Sequence, residues 1–324
     1  MSNLLNNKAI ALLKLVRIEN LLMIVFTQVV LRCLVLQKIM QQRGIQLELN
    51  DGLFYLLILS TVLIAAAGYI INDYFDVKTD LINHPDTVVV GKVIQRRTAI
   101  ILHLSFTFLG IALGMYAALK TGYLRLSLFH FVAAFLLWIY STHLKKQLLI
   151  GNAVVSLLTA SVAFIPLVYE MGVIQKNTPG FVHEHHSLLF SCLKITFIFS
   201  LFAFITSMAR EIIKDIEDYK GDKETGGLTM PIVWGILSSQ LTAFFLLIIT
   251  AILLLFVVYN TVKLQHLFFS LNTLYIVFTL IIPLVLLAIY VLSVNQSKQF
   301  KMASLTLKLI MLMGLCYSFI FYYT

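Results

Sequence analysis

Nine apolar segments, each long enough to cross a bilayer, constrain this chain more than any other feature. They run over about 18–37, 53–72, 99–119, 123–142, 148–169, 187–209, 235–258, 267–292 and 302–323, and each suits an α-helix through a hydrocarbon core of roughly 30 Å. A β-barrel is excluded, because the segments lack period-two alternation and are about twice too long for barrel strands. Only 12% of the residues are charged and 60% are hydrophobic, against about 25% charged in a soluble domain. No polar stretch is long enough to build a separate soluble domain. The expected fold is all-α: a polytopic membrane protein of nine transmembrane helices, one domain over residues 1–324, with no cleaved signal peptide.

The net charge of +9 reflects loop lysines and arginines and is no sign of a nucleic-acid partner. With the N-terminus inside, fifteen Lys and Arg fall on the inner side and seven on the outer, leaving Arg32 and Lys308 within spans. That bias predicts an integral protein of the inner or plasma membrane, with a cytoplasmic N-terminus and an external C-terminus. Cys33, Cys192 and Cys316 lie in or beside apolar segments and read as small packed hydrophobes, with no disulfide framework.

Two acidic stretches break the apolar pattern, both at cytoplasmic ends of segments. Asn72-Asp73-Tyr74-Phe75-Asp76-Val77-Lys78-Thr79-Asp80 closes the second segment, and Asp215-Ile216-Glu217-Asp218-Tyr219-Lys220-Gly221-Asp222 follows the sixth. The spacing i, i+3, i+7 is identical in both, and at 100° per residue it puts each trio on one helical face. Asp73 and Asp215 lie 142 residues apart, as do the other two pairs. The period contains four segments, so the chain reads as two parallel four-helix pseudo-repeats, about 18–142 and 148–292, with a ninth helix at 302–323. An axis along the membrane normal would set the two trios across a central cavity. The Gly- and Pro-containing loops after each trio are long enough to cap such a cavity.

Six carboxylates with few histidines nearby call for a hard cation, and Mg²⁺ suits best, since it is held by carboxylates together with a phosphate group. The nearby cations Lys78, Lys92, Arg96, Arg97, Lys145, Lys146, Lys214 and Lys220 are candidates for phosphate oxygens. Nine spans suit a diphosphate with a long apolar tail better than a soluble nucleotide. The implied chemistry is ionisation of an allylic diphosphate, with the cation stabilising the leaving group and apolar walls excluding water. Arg210 lies one turn before Asp215, where repeat one has Gly68. It reads either as a ligand for an acceptor phosphate or as a partner of Glu211. His183-Glu184-His185-His186 falls in an external loop far from the carboxylates, and His103 and His130 sit alone in apolar spans as core residues.

Asn72-Asp73-x-x-Asp76-x-x-x-Asp80 resembles the NDxxDxxxD signature of the UbiA superfamily of intramembrane prenyltransferases, and Asp218-x-x-x-Asp222, preceded by Asp215, resembles its DxxxD signature. The wording Arg210-Glu211-Ile212-Ile213-Lys214-Asp215 is most similar to the branch that makes digeranylgeranylglyceryl phosphate. The first loop, Asn83-His84-Pro85-Asp86, departs from the commoner NRPxRP pattern. The resemblance implies two Mg²⁺ ions, one held by Asn72, Asp73 and Asp76, with Asp80 completing the motif, and the other by Asp215, Asp218 and Asp222. Asp73, Asp76, Asp215 and Asp218 would be catalytic, with Tyr140 lining the cation site. Asn72, Lys92, Arg97, Lys146, Asn152, Arg210 and Lys214 would bind substrate, with Arg17 and Asn20 as further candidates. The implied partners are a polyprenyl diphosphate donor, a lipid or aromatic acceptor, and the bilayer. Three functions remain open: alkyl transfer to a glyceryl phosphate lipid, the same transfer to an aromatic ring, and cation transport.

Overall fold

The computed structural model describes residues 2–265 and 269–324. An amphipathic helix α1 (Ser2–Leu15) leads into the first span, α2 (Ile18–Gln41), followed by α3 (Asp51–Asn83), α4 (Arg96–Thr121) and α5 (Leu124–Thr142). A bent pair, Ile150–Ser161 and Phe164–Asn177, turns by 44° and together makes α6. Beyond it lie α7 (His186–Glu217), the short α8 (Tyr219–Glu224), α9 (Ile236–Lys263), α10 (Leu271–Ser293) and α11 (Ser297–Tyr323). Eight of these helices are long and apolar enough to span, and nine are reached when the bent pair counts as one. The first two residues of the expected 267–292 segment lie outside the described residues.

Hydropathy accounts for the spans, but the ends obey local chemistry. Pro166 sits near the start of the second half of α6 and has no N–H to offer the preceding turn, which accounts for the bend. α3 outruns its expected end to reach Asn83 and α7 to reach Glu217, carrying carboxylates beyond the apolar stretch. α3 packs along α4, while α7 packs against α6, α9 and α11. One core joins α7, α9, α10 and α11 through residues such as Ile212, Leu247, Leu284 and Leu307. Another binds α1 to α2, α3 and the following loop through Leu15, Leu21, Ile70 and Val90.

At the opposite end of α3 from the carboxylates, Arg32 is buried in a π-helical turn of α2. It donates to Asp51 at 2.8 Å, to Glu170 at 3.3 Å and to the Leu49 carbonyl, with its guanidinium 4.6 Å from the Phe54 ring centre. Glu170, fully buried, also accepts from the Leu49 amide at 2.9 Å. Every charge in this cluster is paired, as burial in a membrane requires, and it ties α2, α3 and α6 together. His130 bonds Ser60 at 2.9 Å and Tyr169 at 3.0 Å, and His103 bonds the Ala67 carbonyl at 3.0 Å. The three cysteines are free, and residues 183–186 are exposed on the far side.

Candidate active site

The first acidic trio lies on unbroken helix, in the last three turns of α3. Asn72 donates through Nδ2 to Asp76 Oδ2 at 2.7 Å, which leaves its buried Oδ1 without a partner among the described residues. Asp73 accepts from Arg17 at 2.8 Å, and Asp76 accepts from Lys145. Arg17 occupies the joint between α1 and α2 with φ of 51°, a left-handed conformation that costs a residue with a Cβ about 1–2 kcal/mol. Asp73 and the Tyr69 ring, 5.0 Å from the guanidinium, hold it there. Burial opposes the Arg17 and Lys145 charges, yet Asp73 beside the one and Asp76 beside the other raise both pKa values above their ordinary range.

The second trio departs from expectation, because α7 stops at Glu217 and Asp218 has φ of −91° and ψ of 5°. Asp215 therefore points from one helix and Asp222 from another, and the trio does not line a single face. The cause lies 135 residues upstream. Asn83, the last residue of α3, donates to the Asp218 carbonyl at 2.9 Å and accepts from the Gly221 amide at 2.8 Å. The second bond satisfies the Gly221 amide, one of the unpaired donors of the first turn of α8, and the first is added to an Asp218 carbonyl that already accepts from the Asp222 amide at 3.1 Å. A Cβ on Gly221 would lie 2.5 Å from Asn83 Nδ2, so only glycine admits the clasp. Next to it, His84 Nε2 meets Asp218 Oδ1 at 2.8 Å, and Thr79 and Thr225 share a hydrogen bond of 3.0 Å. The two acidic stretches are thus bonded to each other. The Asp218 bond raises the His84 pKa against the pull of burial, whereas burial pushes the Asp222 carboxyl up to about 6.

A cavity of about 820 Å³ runs inward from this cluster. Its polar end is lined by Asn72, Asp73, Asp76, Asp80, His84 and Asp218, with Arg17, Tyr140, Lys145, Arg210 and Lys214 around them. Its far end is apolar, with Ile64, Leu137, Val155, Leu158, Phe199 and Phe202 in the walls. From Thr61 to Asp80 the cavity follows α3 for about 28 Å, at 1.5 Å per residue.

Several expected site residues lie elsewhere. Asp215 is outside the lining and accepts from Asn152 at 2.7 Å, so Asn152 orients a carboxylate and does not reach the cavity. Asp222 is also outside the lining. Lys92 is drawn to the Pro85 carbonyl at 2.6 Å, Arg97 is exposed at the start of α4, and exposed Lys146 turns to the Thr225 carbonyl at 3.4 Å. Its neighbour Lys145 takes the central place instead, since adjacent residues of a tight turn face different ways. Arg210 pairs with Glu211 at 3.1 Å, Lys214 shares that carboxylate at 3.3 Å, and the buried Arg210 Nε has no partner among the described residues. Sequence reasoning missed Asn83, His84, Thr79 and Thr225. His84 stands where the first loop departs from the commoner motif, and that departure was the available signal for it.

Among the described residues, no three His, Cys, Asp or Glu side chains close on one point tightly enough to hold a metal ion. Each motif carboxylate that is hydrogen-bonded turns instead to a cation, an amide or an imidazole, as with Asp73, Asp76, Asp215 and Asp218. The donor set still fits a hard divalent cation: it consists of oxygens, several face one cavity, and the Asn72 Oδ1 is buried without a partner.

The sequence of residues 43–318 matches the UbiA prenyltransferase family. Digeranylgeranylglyceryl phosphate synthase of Thermococcus sibiricus is 35% identical over 175 residues, 53% of each chain. That of Methanosphaera stadtmanae is 32% identical over 187 residues, 58% of this chain and 60% of the relative. The chain thus spans about half the length of the relatives it matches. Among solved structures, a digeranylgeranylglyceryl phosphate synthase superposes with a TM-score of 0.64 at 22% identity, covering 97% of this chain and 98% of the other. A UbiA homologue from Archaeoglobus fulgidus bound to DMAPP and Mg²⁺ gives 0.51 at 16% identity, covering 94% and 98%. These likenesses establish a shared fold. With the family match covering most of its length, this integral membrane protein belongs to the UbiA prenyltransferase family.

Proposed function

We propose that this protein is a Mg²⁺-dependent intramembrane prenyltransferase. It moves a prenyl group from an allylic polyprenyl diphosphate to a glyceryl phosphate lipid of the geranylgeranylglyceryl phosphate type. One observation carries the reading: a membrane-embedded cavity joins a carboxylate-rich, cation-flanked end to a long apolar interior, matching a diphosphate head and a polyprenyl tail. The similarity to digeranylgeranylglyceryl phosphate synthases supports the acceptor. We further infer one domain of two four-helix halves, with the N-terminus and the acidic stretches cytoplasmic and the C-terminus external.

Asn72, Asp73, Asp76 and Asp80 would hold one Mg²⁺, and Asp215, Asp218 and Asp222 the other. When bound, the metal supplies Lewis-acid stabilisation of the negative charge that develops on the leaving diphosphate. Lys145 and Arg17, which neutralise Asp76 and Asp73, lie where they can turn to diphosphate oxygens. The allylic C–O bond breaks with its electron pair on the diphosphate, and the acceptor hydroxyl oxygen donates a pair to the allylic carbon, forming an ether. The hydroxyl proton leaves to the released diphosphate or to water. Tyr140, on the cavity wall, presents a ring face to the developing cation, and the apolar walls keep water from capturing it. Arg210, which lines the cavity and keeps part of its side chain exposed, would donate to the acceptor phosphate.

An aromatic acceptor would use the same ionisation and is the competing reading. Incubating the purified protein with radiolabelled geranylgeranyl diphosphate separates the two. Mg²⁺-dependent product with geranylgeranylglyceryl phosphate, and none with hydroxybenzoate or naphthoate acceptors, is the expected result. The reverse preference overturns the acceptor assignment. Absence of diphosphate release with any acceptor, together with ion flux in proteoliposomes, would favour transport.

A further inference from the structure

We propose that Lys308 is an anion ligand at the side mouth of the cavity, between α2 and α11, and that it receives the phosphate monoester of the incoming acceptor lipid. The inference rests on the acceptor assignment above and adds a residue that neither motif contains.

Lys308 is a lone ammonium eleven residues into a spanning helix, a position that in membranes marks function unless the charge is fully paired. Arg32, deep in α2, is closed off by two carboxylates, a carbonyl and a ring. Arg17 and Lys145 are committed to the motif carboxylates. Lys308 differs from all three. Its one partner among the described residues is Glu19, at 2.9 Å, whose side chain is 79% exposed while that of Lys308 is 21% exposed. Exposed ion pairs of this kind are weak and readily exchanged. Glu19 also sits in the first turn of α2, where the helix dipole favours a carboxylate without help from Lys308.

The position suits a lipid head group. Both Lys308 and Glu19 line the cavity. The lining residues Ile10, Leu13, Ile18 and Leu305 are exposed, an apolar rim through which we take the cavity to open sideways to the bilayer. A lipid entering from the bilayer would pass its head group across Lys308. The packing of α11 on α7 fixes what lies further in. A Cβ on Gly314 would lie 2.5 Å from Phe202 Cε1, and Ser297 bonds the Glu217 carbonyl at 3.3 Å, so the two helices run antiparallel. Lys308 then falls opposite Ser207, about one helical turn from Arg210, and all three line the same cavity. The Arg210 side chain is 21% exposed and bonds Glu211 through one terminal nitrogen only. A dianionic phosphate held between an ammonium and a guanidinium is satisfied on two sides. Its glycerol hydroxyl then faces inward, toward the carboxylates.

The test uses full-length protein in phosphatidylcholine nanodiscs, so that the acceptor is the only lipid phosphomonoester present. K308Q is expected to raise the KM for geranylgeranylglyceryl phosphate about tenfold and to leave the donor KM in place, with K308R recovering much of the loss. E19Q removes the competing carboxylate and is expected to lower the acceptor KM by about two- to threefold. If Lys308 and Glu19 merely tie α2 to α11, both substitutions shift KM in the same direction, which overturns the proposal. An equal K308Q effect on the dephosphorylated acceptor overturns it as well. Direct binding of the acceptor without donor separates this inference from the functional reading. Wild-type binding that is lost in K308Q upholds the site even where no product forms, and equal binding by both refutes it.

Discussion

Replacing Asn83 by alanine tests how the second acidic stretch is held. The side chain makes two hydrogen bonds to backbone, at 2.9 Å to the Asp218 carbonyl and 2.8 Å to the Gly221 amide. The Gly221 amide is left without a helical partner by the break between α7 and α8, while the Asp218 carbonyl also accepts from the Asp222 amide at 3.1 Å. Each such bond contributes about 1 kcal/mol net, so N83A removes about 2 kcal/mol of support for the conformation that presents Asp218 and Asp222. If that support is needed only in the productive state, turnover falls roughly 30-fold, at 1.4 kcal/mol per factor of ten. N83D is the sharper variant. Its carboxylate can still accept from Gly221, but its second oxygen faces the Asp218 carbonyl, so it should be at least as impaired as N83A. The assay is steady-state prenyl transfer at several Mg²⁺ concentrations, with the apparent Mg²⁺ affinity as a second readout. The clasp predicts a weaker apparent Mg²⁺ affinity in both variants. Turnover within twofold of wild type in N83A, with unchanged Mg²⁺ dependence, would refute the reasoning.

Three further outcomes follow from the same geometry. Asp73→Ala, Asp76→Ala and Asp215→Ala should each lower turnover by roughly 10²-fold or more, as loss of an electrostatic stabiliser does. Near-normal activity in any of them counts against the two-ion arrangement. Lys145→Ala should lower activity by about tenfold or more, since it leaves the buried Asp76 carboxylate without its cation, whereas Lys146→Ala should stay within about twofold; equal effects would contradict the different orientations of the two lysines. The Asp222 carboxyl is raised to about 6, chiefly by burial. A raised carboxyl pKa favours the folded state at low pH, and that contribution is lost as pH rises through the folded value. Asp222→Asn should therefore stabilise the metal-free protein above about pH 6 and leave it unchanged below about pH 4, read by thermal unfolding across that range. A stabilisation independent of pH would show that ionisation of Asp222 is not the cause.

The spans were legible because a bilayer imposes one strong requirement, a long apolar helix, and the sequence meets it nine times over. The first acidic trio was equally legible, since Asn72, Asp73, Asp76 and Asp80 share one unbroken helix and their spacing is their geometry. The second trio has the same spacing and a different shape. Its break at Asp218 depends on Asn83, 135 residues away, and no local propensity reports such a partner. The same limit governs the cations. Lys145 and Lys146 are indistinguishable as neighbours in sequence, and only the turn at Leu144–Lys146 decides which one reaches Asp76. Lys92 and Arg97 were sound candidates by charge and proximity in sequence, but loop conformation directs the one to a carbonyl and exposes the other. Lys308 illustrates the converse: a single charge in a span was visible from the start, while its place beside the cavity required the packing of α11 on α7.

The difference between the two acidic stretches bears on how the site would work. On the first, Arg17 and Lys145 neutralise Asp73 and Asp76, and both cations come from joints between helices, Arg17 with a left-handed backbone. On the second, an imidazole and two amides do most of the holding: His84 on Asp218, Asn152 on Asp215, and Asn83 on the backbone of Asp218 and Gly221. Charged partners exchange with other charges, whereas amides fix geometry without neutralising it. The first stretch would thus suit exchange, since Arg17 and Lys145 would be free to turn to diphosphate oxygens if the carboxylates held a divalent cation. The second would offer its carboxylates to a cation from a geometry already fixed, and the clasp from α3 holds that stretch against the helix that carries the first.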